Sequence, residues 1–587
     1  MRSNFDIIIQ GGLVVDGTGT PGFQADIGIK GDTIAAIGDL KNATAGKTID
    51  AKGRTVTPGF IDIHSHAEST VLNFPAAESA VGQGITTSVG GQCGFSPAPA
   101  KDYWVSGTWD WNWWSKASPY KYSRAELLDL DVARKYSREV DGCDIDWTTF
   151  GEWMERVDRV KPGVNICPLV GHGTIRGVVM GRDHKRAATD EEIRKMKYWV
   201  EEAMDSGAWG FSNGLDYAPN AWSTLEESCE LVGAAARSGG IFSTHWRRTG
   251  LRAAGGNPGL INGLREAIEI ARRTGCRIQI AHLNLGYLVS PEPTHKLAVC
   301  SAEETLALLD SAISEGIDLA FDVIPHHLTG GILRLKYVAS ILSPWLWAAG
   351  NLEQFAENLR APDYRDEIRG YIMAGKFYSI NPVTSPGWAA GVLISTSEVE
   401  SYAGKTIADI AGEASADPLD ALFDVVMNDP YARLSLGKPD TPDDVKRVFY
   451  KHPRAMTGTD TKLFDTAAEQ TIPPYYVPNP NTYGGMARYI KRYGIGMLGL
   501  EEGIRRITSL PAATIGLSDR GEIAVGKKAD IVVMTPHLVC EKATDDEPRQ
   551  YPGGFDWVLV NGVFALADGK HTLSRSGKML RHGSASG

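Results

Sequence analysis

Apolar residues in the middle of the chain form short runs that end in polar residues and alternate with amphipathic stretches. Stretches with apolar residues at helical spacing lie between several of these runs, for example at Asp190–Ser206, Leu260–Thr274 and Ala302–Glu315. Such alternation predicts parallel βα units. The predicted strands are Gly59–His66, Ile85–Cys93, Val164–His172, Ala208–Gly214, Ile241–His245, Arg277–His282, Ile317–His326 and Val448–Asp460. Eight units indicate an α/β fold built on a (β/α)8 TIM barrel, whose active sites lie at the carboxyl ends of the strands.

The two ends of the chain have a different pattern, with short alternating strands separated by glycine turns. Neither end alone supplies enough strands for a stable sheet. We therefore predict that residues 1–57 and 516–575 pair into one small composite β-sandwich, and that residues 58–515 form the barrel. Two separate β-extensions are the alternative interpretation.

Two connections within the barrel are too long for ordinary βα loops. The first, at about residues 97–162, is rich in tryptophan and is predicted to contain helices at Ala125–Tyr136 and Trp147–Val157. It is either a subdomain with its own small core or a lid that brings aromatic walls to the site. The second, at about residues 330–447, has a mostly helical pattern.

Composition excludes several classes of function. The 587 residues carry a net charge of −11, which argues against binding nucleic acid through its phosphates. The seven cysteines have no regular spacing, so a reducing cytoplasm fits better than a disulfide framework. Neither a signal peptide nor a membrane-spanning segment is predicted. We expect a cytoplasmic protein with a small-molecule substrate, and the sequence leaves open whether it forms a homo-oligomer.

The predicted strand ends carry side chains that bind metals. The first strand leads to two histidines spaced i, i+2, and residues two apart in a strand point the same way. Imidazole, thiolate and carboxylate are the donors that zinc prefers. The metal-competent residues at strand ends are His64, His66, Cys93, His172, His245, His282 and Asp460. A single buried histidine or cysteine is usually structural, but so many on one rim predict a metal site.

Hydrolysis is the chemistry that such a rim supports. A divalent metal lowers the pKa of its bound water to about 7 and polarises a carbonyl oxygen. Asp460 is the candidate general acid/base, because a carboxylate beside the metal can accept the proton of water and pass it to the leaving nitrogen. Cys93 would bind as a thiolate and would bridge the metals if two ions are present.

Longer motifs around these residues resemble the amidohydrolase superfamily, and within it the D-aminoacylases (N-acyl-D-amino-acid deacylases). The resemblance spans nearly the whole chain apart from the two insertions. It implies one or two Zn²⁺ ions, with Cys93, His245 and His282 at a tighter site and His64, His66 and Asp460 at a weaker one. The matching segments are Pro58-Gly-Phe-Ile-Asp-Ile-His-Ser-His66, Gly84-Ile-Thr-Thr-Ser-Val-Gly-Gly-Gln-Cys-Gly94, Leu169-Val-Gly-His-Gly-Thr-Ile-Arg176, Phe211-Ser-Asn-Gly-Leu-Asp-Tyr-Ala-Pro219, Thr244-His245, Ala281-His282 and Gly521–Val533.

The chain departs from this family where the resemblance implies a clamp for the substrate carboxylate. Asn284 stands at the position of a lysine, Ile324 and His326 stand where tyrosine is usual, and Asn481 aligns with an arginine. Each charge-assisted hydrogen bond contributes about 1.5–3 kcal/mol, so these departures favour a different substrate. His172 is either a hydrogen-bond donor to the substrate or a structural histidine.

Four functions remain after these departures. The leading hypothesis is a zinc-dependent amidohydrolase that cleaves a C–N bond in a neutral, bulky or aromatic N-acyl compound. The first alternative is a D-aminoacylase acting on N-acyl-D-amino acids, with a replacement cation from Arg176, Arg247, Arg248 or Arg488. A lactone or cyclic amide hydrolase would use the same chemistry. A non-catalytic scaffold is disfavoured, because every expected ligand position is filled.

Overall fold

The computed structural model describes most of the chain. The described residues are 4–105, 127–138, 142–216, 218–247, 260–283, 295–326, 342, 345, 348–349, 352–373, 388–436, 442–466, 478–544 and 547–583. Within these ranges, no helix combines the length and the apolar character that crossing a bilayer requires.

A strand forms within each of the eight predicted strand segments of the barrel. Every described pairing among these strands is parallel. They form a three-stranded sheet and a six-stranded sheet in the order of the chain. The third predicted strand divides at Leu169, so that its two halves lie in different sheets. The strands are Phe60–Asp62, Ile85–Gly90 and Asn165–Pro168 in one sheet, and Val170–Gly171, Gly210–Gly214, Ile241–His245, Ile278–Ile280, Leu319–Val323 and Ala455–Thr457 in the other. The described residues do not show one continuous closed ladder.

The last predicted strand, Val448–Asp460, is wrong in its first part. Residues Asp443–Lys451 form an α-helix, and only Ala455–Thr457 form the strand. Val445 and Phe449 lie four residues apart and are both buried, which is the spacing of one helix face rather than of a strand.

Several of these strands are followed along the chain by a helix. Threonines at 149 and 189 cap two of the helices, each paired with a glutamate three residues later in a reciprocal capping box. A π-helical segment at Ile490–Leu498 continues one helix. The α-helices are Glu78–Val81, Leu130–Tyr136, Phe150–Val160, His172–Met180, Asp190–Asp205, Leu225–Arg237, Leu260–Thr274, His295–Ser314, Leu352–Asn358, Pro362–Met373, Ile407–Ala414, Pro418–Asn428, Asp443–Lys451, Asn481–Tyr489, Leu500–Arg505 and Ser509–Ile515.

Strands from both ends of the chain pair in one nine-stranded sheet. The contact between the ends is antiparallel, with Thr55–Pro58 against Ile531–Met534. Isoleucines and valines from both ends form one apolar cluster on this sheet. The assignment of the two ends to a separate β-sandwich domain stays a prediction. The strands are Asn4–Val14, Phe23–Lys30, Thr33–Gly38, Thr44–Asp50, Thr55–Pro58, Ile531–Met534, Phe555–Val560, Val563–Ala567 and Lys570–His571.

The two insertions differ in how their described parts pack. In the first, Trp104 and Trp147 lie 6.4 Å apart between ring centroids and join the main core. The aromatic residues between 106 and 126 lie outside the described residues. Part of the predicted helix at Ala125–Tyr136 is a strand, at Leu127–Asp129, paired with Tyr103–Val105. The second insertion has its own apolar cluster, formed by residues between 342 and 432, and an antiparallel pair of strands.

Candidate metal centre

The two histidines of the first strand end face a single carboxylate. The strand stops at Asp62, so His64 and His66 lie in the turn after it rather than within it. Their rings are nonetheless close, with centroids 5.9 Å apart. Oδ1 of Asp460 lies 3.4 Å from Nε2 of His64 and 3.1 Å from Nε2 of His66. The first and the last predicted barrel strands therefore meet at this point.

Cys93 lies between two groups of potential ligands. Its Sγ is 3.5 Å from Nε2 of His64, 3.7 Å from Nδ1 of His245 and 3.5 Å from Nε2 of His282. Two sets of donor atoms each lie within 4.8 Å of one another. We call His64, His66, Cys93 and Asp460 the outer group, and Cys93, His245 and His282 the inner group. The structure thus brings together all six residues that the sequence predicts as ligands.

Three of these six residues have unusual backbone conformations. Cys93, His282 and Asp460 have φ angles of 56°, 36° and 50°, in the left-handed region that side chains other than glycine rarely adopt. Such strain persists where surrounding structure enforces it, and it is concentrated at functional sites. The sharp turns place each side chain at the end of its strand, facing the others.

Carboxylates fix the far side of the histidine rings. Nδ1 of His64 lies 3.4 Å from Asp322, and Nδ1 of His66 lies 3.4 Å from Oε1 of Glu68. On the inner group, Nε2 of His245 lies 3.3 Å from Oδ2 of Asp216. A metal-binding histidine usually donates its other ring N–H to a carboxylate or carbonyl, which fixes its tautomer and orientation. These partners and the N, S and O donor set both fit a zinc-type metal.

Charge interactions within the group favour the ionised forms of Cys93 and Asp460. Burial alone raises the pKa of the Cys93 thiol, but His64, His282 and His245 outweigh it and hold that pKa well below the usual range. Burial opposes ionisation of Asp460 as well, and His64 and His66 keep its pKa well below that of an ordinary aspartate. These shifts favour the ionised forms of the sulfur and the carboxylate.

Asp62 lies below the ligands and was not predicted from the sequence. Its carboxylate accepts hydrogen bonds from the amide nitrogen of Thr459 at 3.0 Å, from its hydroxyl at 2.5 Å and from the amide nitrogen of His64 at 3.3 Å. Burial raises the pKa of Asp62 to about 7, although these bonds oppose the shift. It ties the turn before Asp460 to the turn that carries the histidines. The feature of the sequence that could have identified Asp62 is its position, two residues before the first predicted ligand.

Three of the four predicted substrate-binding residues, His172, His326 and Asn481, lie in the described part of the chain. His172 is fully buried at the start of a helix, where its Nε2 lies 2.8 Å from Oε1 of Glu227. Its contact with the substrate stays a prediction. The amide nitrogen of His326 bonds to Oδ1 of Asn481, at 3.0 Å. The side chain of Asn481 is fully buried, and Asn284 lies outside the described residues.

Three of the predicted replacement cations have partners away from the metal ligands. Arg176 is fully buried and pairs with Glu227 at 2.9 Å. Arg247 pairs with Glu266 at 2.9 Å, and its guanidinium also donates to backbone carbonyls of the 220s loop. The guanidinium of Arg488 bonds to Asp443 and Glu541. Arg248 lies outside the described residues.

Known proteins are similar to this chain in sequence and in structure. The family model described as "Amidohydrolase family" matches residues 47–336. N-acyl-D-glutamate deacylase from Alcaligenes xylosoxydans xylosoxydans is 30% identical, over 99% of this chain and 97% of its own length. A structure of D-aminoacylase, described as having a binuclear metal center, covers 98% of this chain and 100% of its own, with TM-score 0.69 and 26% identity.

A second solved structure is a complex. N-acyl-D-glutamate deacylase from Bordetella bronchiseptica, with zinc and a phosphonate mimic of the tetrahedral intermediate, covers 99% of this chain and 100% of its own. Its TM-score is 0.68 and its identity is 27%. These similarities cover 98–99% of this chain.

Proposed function

The chain belongs to the amidohydrolase family, in its D-aminoacylase branch, and from this premise we propose that it is a zinc-dependent hydrolase of a C–N bond in N-acyl compounds. The observation that carries the proposal is the position of Cys93, whose sulfur lies within 3.7 Å of histidines in both ligand groups. Eight predicted strands, parallel and in chain order, support a closed (β/α)8 barrel around this point. The zinc bound by the relative from Bordetella bronchiseptica supports zinc here.

The proposed mechanism assigns a role to each part of the site. Cys93, His245 and His282 would hold one ion, and His64, His66 and Asp460 would hold a second. When bound, zinc polarises the amide carbonyl and lowers the pKa of a water molecule to about 7. Glu68, Asp216 and Asp322 keep the histidine rings oriented, so the ligand atoms need no reorganisation.

Asp460 is the proposed proton carrier. His64 and His66 offset the effect of burial on the pKa of Asp460, so its carboxylate is ionised at neutral pH, and Oδ1 or Oδ2 can accept a proton from the attacking water. The same oxygen then returns that proton to the departing nitrogen, and the amine leaves neutral. Asp460 is partly exposed, unlike fully buried His64, which favours Asp460 as the group that faces a bound substrate.

The leading substrate class is an N-acyl amide whose amine portion is neutral, bulky or aromatic. Ile324, where the resemblance implies a tyrosine, is buried and apolar. Asn481 is fully buried, and its side-chain oxygen accepts the bond from His326. Arg176, Arg247 and Arg488 have carboxylate partners elsewhere. The described residues therefore lack the clamp that the family resemblance implies for a free carboxylate.

A second candidate, the N-acyl-D-amino acids, is favoured by one residue and by the names of the relatives. Lys462 lies two residues beyond Asp460, and its charge interacts with Glu68 and Asp460. Burial lowers the pKa of Lys462 to about 7, and the two carboxylates oppose this shift. Its ammonium form would offer a carboxylate one cation at the edge of the site.

Matched pairs of substrates distinguish the two candidates. Zinc-loaded protein is assayed with N-acyl-D-amino acids, their carboxamides, and N-acyl derivatives of aromatic amines. The leading proposal expects kcat/KM for the carboxamide to equal or exceed that for the acid. The second candidate expects the acid to be favoured, and Lys462→Gln to remove the preference. Absence of hydrolysis across the panel with zinc bound contradicts both.

A further inference from the structure

The carboxylate of Asp322 contacts both ligand groups. Asp322 lies on the strand Leu319–Val323 and is fully buried. Its oxygens lie 3.4 Å from Nδ1 of His64, which belongs to the outer group. Oδ2 also accepts a hydrogen bond at 2.9 Å from the amide nitrogen of His282, which belongs to the inner group. One side chain thus fixes a ring in one group and the backbone of a ligand in the other.

Two further contacts hold this carboxylate in place. Nε2 of Gln279, another fully buried residue, donates to Oδ1 of Asp322 at 2.7 Å. Gly458 packs closely against Oδ2 of Asp322. A Cβ added to Gly458 would lie only 3.0 Å from that oxygen. The carboxylate is therefore fixed from the neighbouring strand and from the turn that precedes Asp460.

The other two carboxylates that contact ring nitrogens of the ligand histidines each contact a single group. Glu68 contacts His66 in the outer group, and Asp216 contacts His245 in the inner group. Both are buried, at 1% and 2% exposure, so their environments are similar to that of Asp322. The difference between the three lies in connectivity rather than in burial or chemistry.

We propose that Asp322 is a positioning residue that couples the two ligand groups, so that its loss weakens metal binding in both. Without Asp322, Nδ1 of His64 loses the carboxylate that orients its ring. The strained turn at His282, with φ of 36°, loses the bond that fixes its amide. Neither Glu68 nor Asp216 has this double effect. The inference rests on the proposed metal centre.

The test compares Asp322→Asn with two single-group controls, Glu68→Gln and Asp216→Asn. Each purified full-length protein is stripped with a chelator and titrated with zinc against a chromogenic competitor, which gives two binding steps. Loss of a partner behind a ligand typically costs about 10–100-fold in metal affinity. We expect Asp322→Asn to weaken both steps by at least about 10-fold. Each control should weaken one step by that factor and leave the other within about threefold.

The outcomes separate this inference from the proposed function. A wild-type protein that binds no zinc overturns the metal centre itself. A wild-type protein with two steps, of which Asp322→Asn weakens only one, overturns the coupling and leaves the proposed function standing. A single step in the wild type also overturns the coupling, since there is then no second group to couple.

A second variant covers the case in which Asp322→Asn does not fold. Gln279→Met removes the hydrogen bond that orients Asp322 and retains the carboxylate and the side-chain volume. Both zinc affinities should fall in this variant as well, by less than in Asp322→Asn. Unchanged affinities, with a circular dichroism spectrum like that of the wild type, would contradict the positioning role.

Discussion

The amide nitrogen of His326 donates a hydrogen bond to Oδ1 of Asn481, with 3.0 Å between the two atoms. Both residues were predicted to contact the substrate. Nζ of Lys446 donates to the carbonyl of His326 at 3.1 Å, and the guanidinium of Arg488 donates to that of Pro325 at 2.9 Å. Three side chains thus hold the backbone after the seventh predicted barrel strand.

Replacing Asn481 tests whether this residue positions the backbone or binds the substrate directly. Asn481→Ala leaves the His326 amide without its acceptor, which costs about 1–3 kcal/mol of stability. We expect a lower urea midpoint and a reduced kcat/KM for every substrate. Asn481→Asp retains the acceptor oxygen and serves as the control, with a smaller loss of stability. Unchanged stability in Asn481→Ala, with loss for only one class of substrate, would indicate direct contact.

Cys93→Ala should reduce bound zinc, because the sulfur is shared by both ligand groups. The measurement is zinc per chain, by elemental analysis after dialysis, alongside turnover at saturating added zinc. Cys276→Ala is the matched control: this thiol is also buried, but burial raises its pKa to about 12 and its Sγ bonds to the carbonyl of Gly240. Zinc content equal to that of the wild type in Cys93→Ala would remove cysteine from the proposed ligands.

Asp460→Asn should preserve the fold while lowering turnover by about 10²–10⁴-fold, because proton transfer in the transition state is worth that much. The amide oxygen can still accept hydrogen bonds from His64 and His66 but cannot carry the proton. Asp465→Asn is the control, since Asp465 is another carboxyl of the same segment and accepts bonds from the amides of Ala76 and Glu78. Turnover in Asp460→Asn within a few fold of the control would contradict the proton-carrier role.

The candidate ligand positions could be predicted from the sequence because they depend on local pattern. An apolar run that ends in a histidine, cysteine or aspartate marks a strand end, and parallel strands bring such ends to one edge. The partners behind the candidate ligands were harder to predict: Asp216 and Asp322 are single acids with nothing unusual in their neighbours, and Asp62 is marked by its position before His64 alone. Their roles depend on contacts between distant segments, such as the bond from Thr459 to Asp62.

Two predictions about local structure show where pattern alone is insufficient. The strand predicted from Val448 begins as a helix. A short apolar run fits either element, and the four-residue spacing that indicates a helix becomes visible only when the residues before Val448 are included. Asn481 aligns with a family position that binds substrate, but its burial depends on how the helix Asn481–Tyr489 packs. The alignment indicates which family position Asn481 matches, but it does not indicate that the side chain is buried.

Asp443 should make stability depend on pH below about 4. This carboxylate lies 2.9 Å from the guanidinium of Arg488 and 2.6 Å from that of Arg492, and it accepts a bond from Tyr493 at 3.0 Å. Burial on its own raises the pKa of Asp443, but these partners outweigh it and lower the pKa to about 2. A carboxyl with a lower pKa in the folded than in the unfolded protein stabilises the fold when it is ionised.

This stabilisation is therefore complete above the unfolded pKa of about 3.9 and is lost as the pH falls toward 2. After a discount for solvent screening of a carboxylate that is nearly one third exposed, we expect Asp443→Asn to lower the free energy of unfolding by about 1–2 kcal/mol at pH 7. The gap between the wild-type and Asp443→Asn urea midpoints should narrow between pH 4 and pH 3. Asp444→Asn, at the next and more exposed residue, should show a gap that stays small throughout. A gap for Asp443→Asn that stays constant or widens as the pH falls would show that the carboxylate gains nothing from its arginine partners.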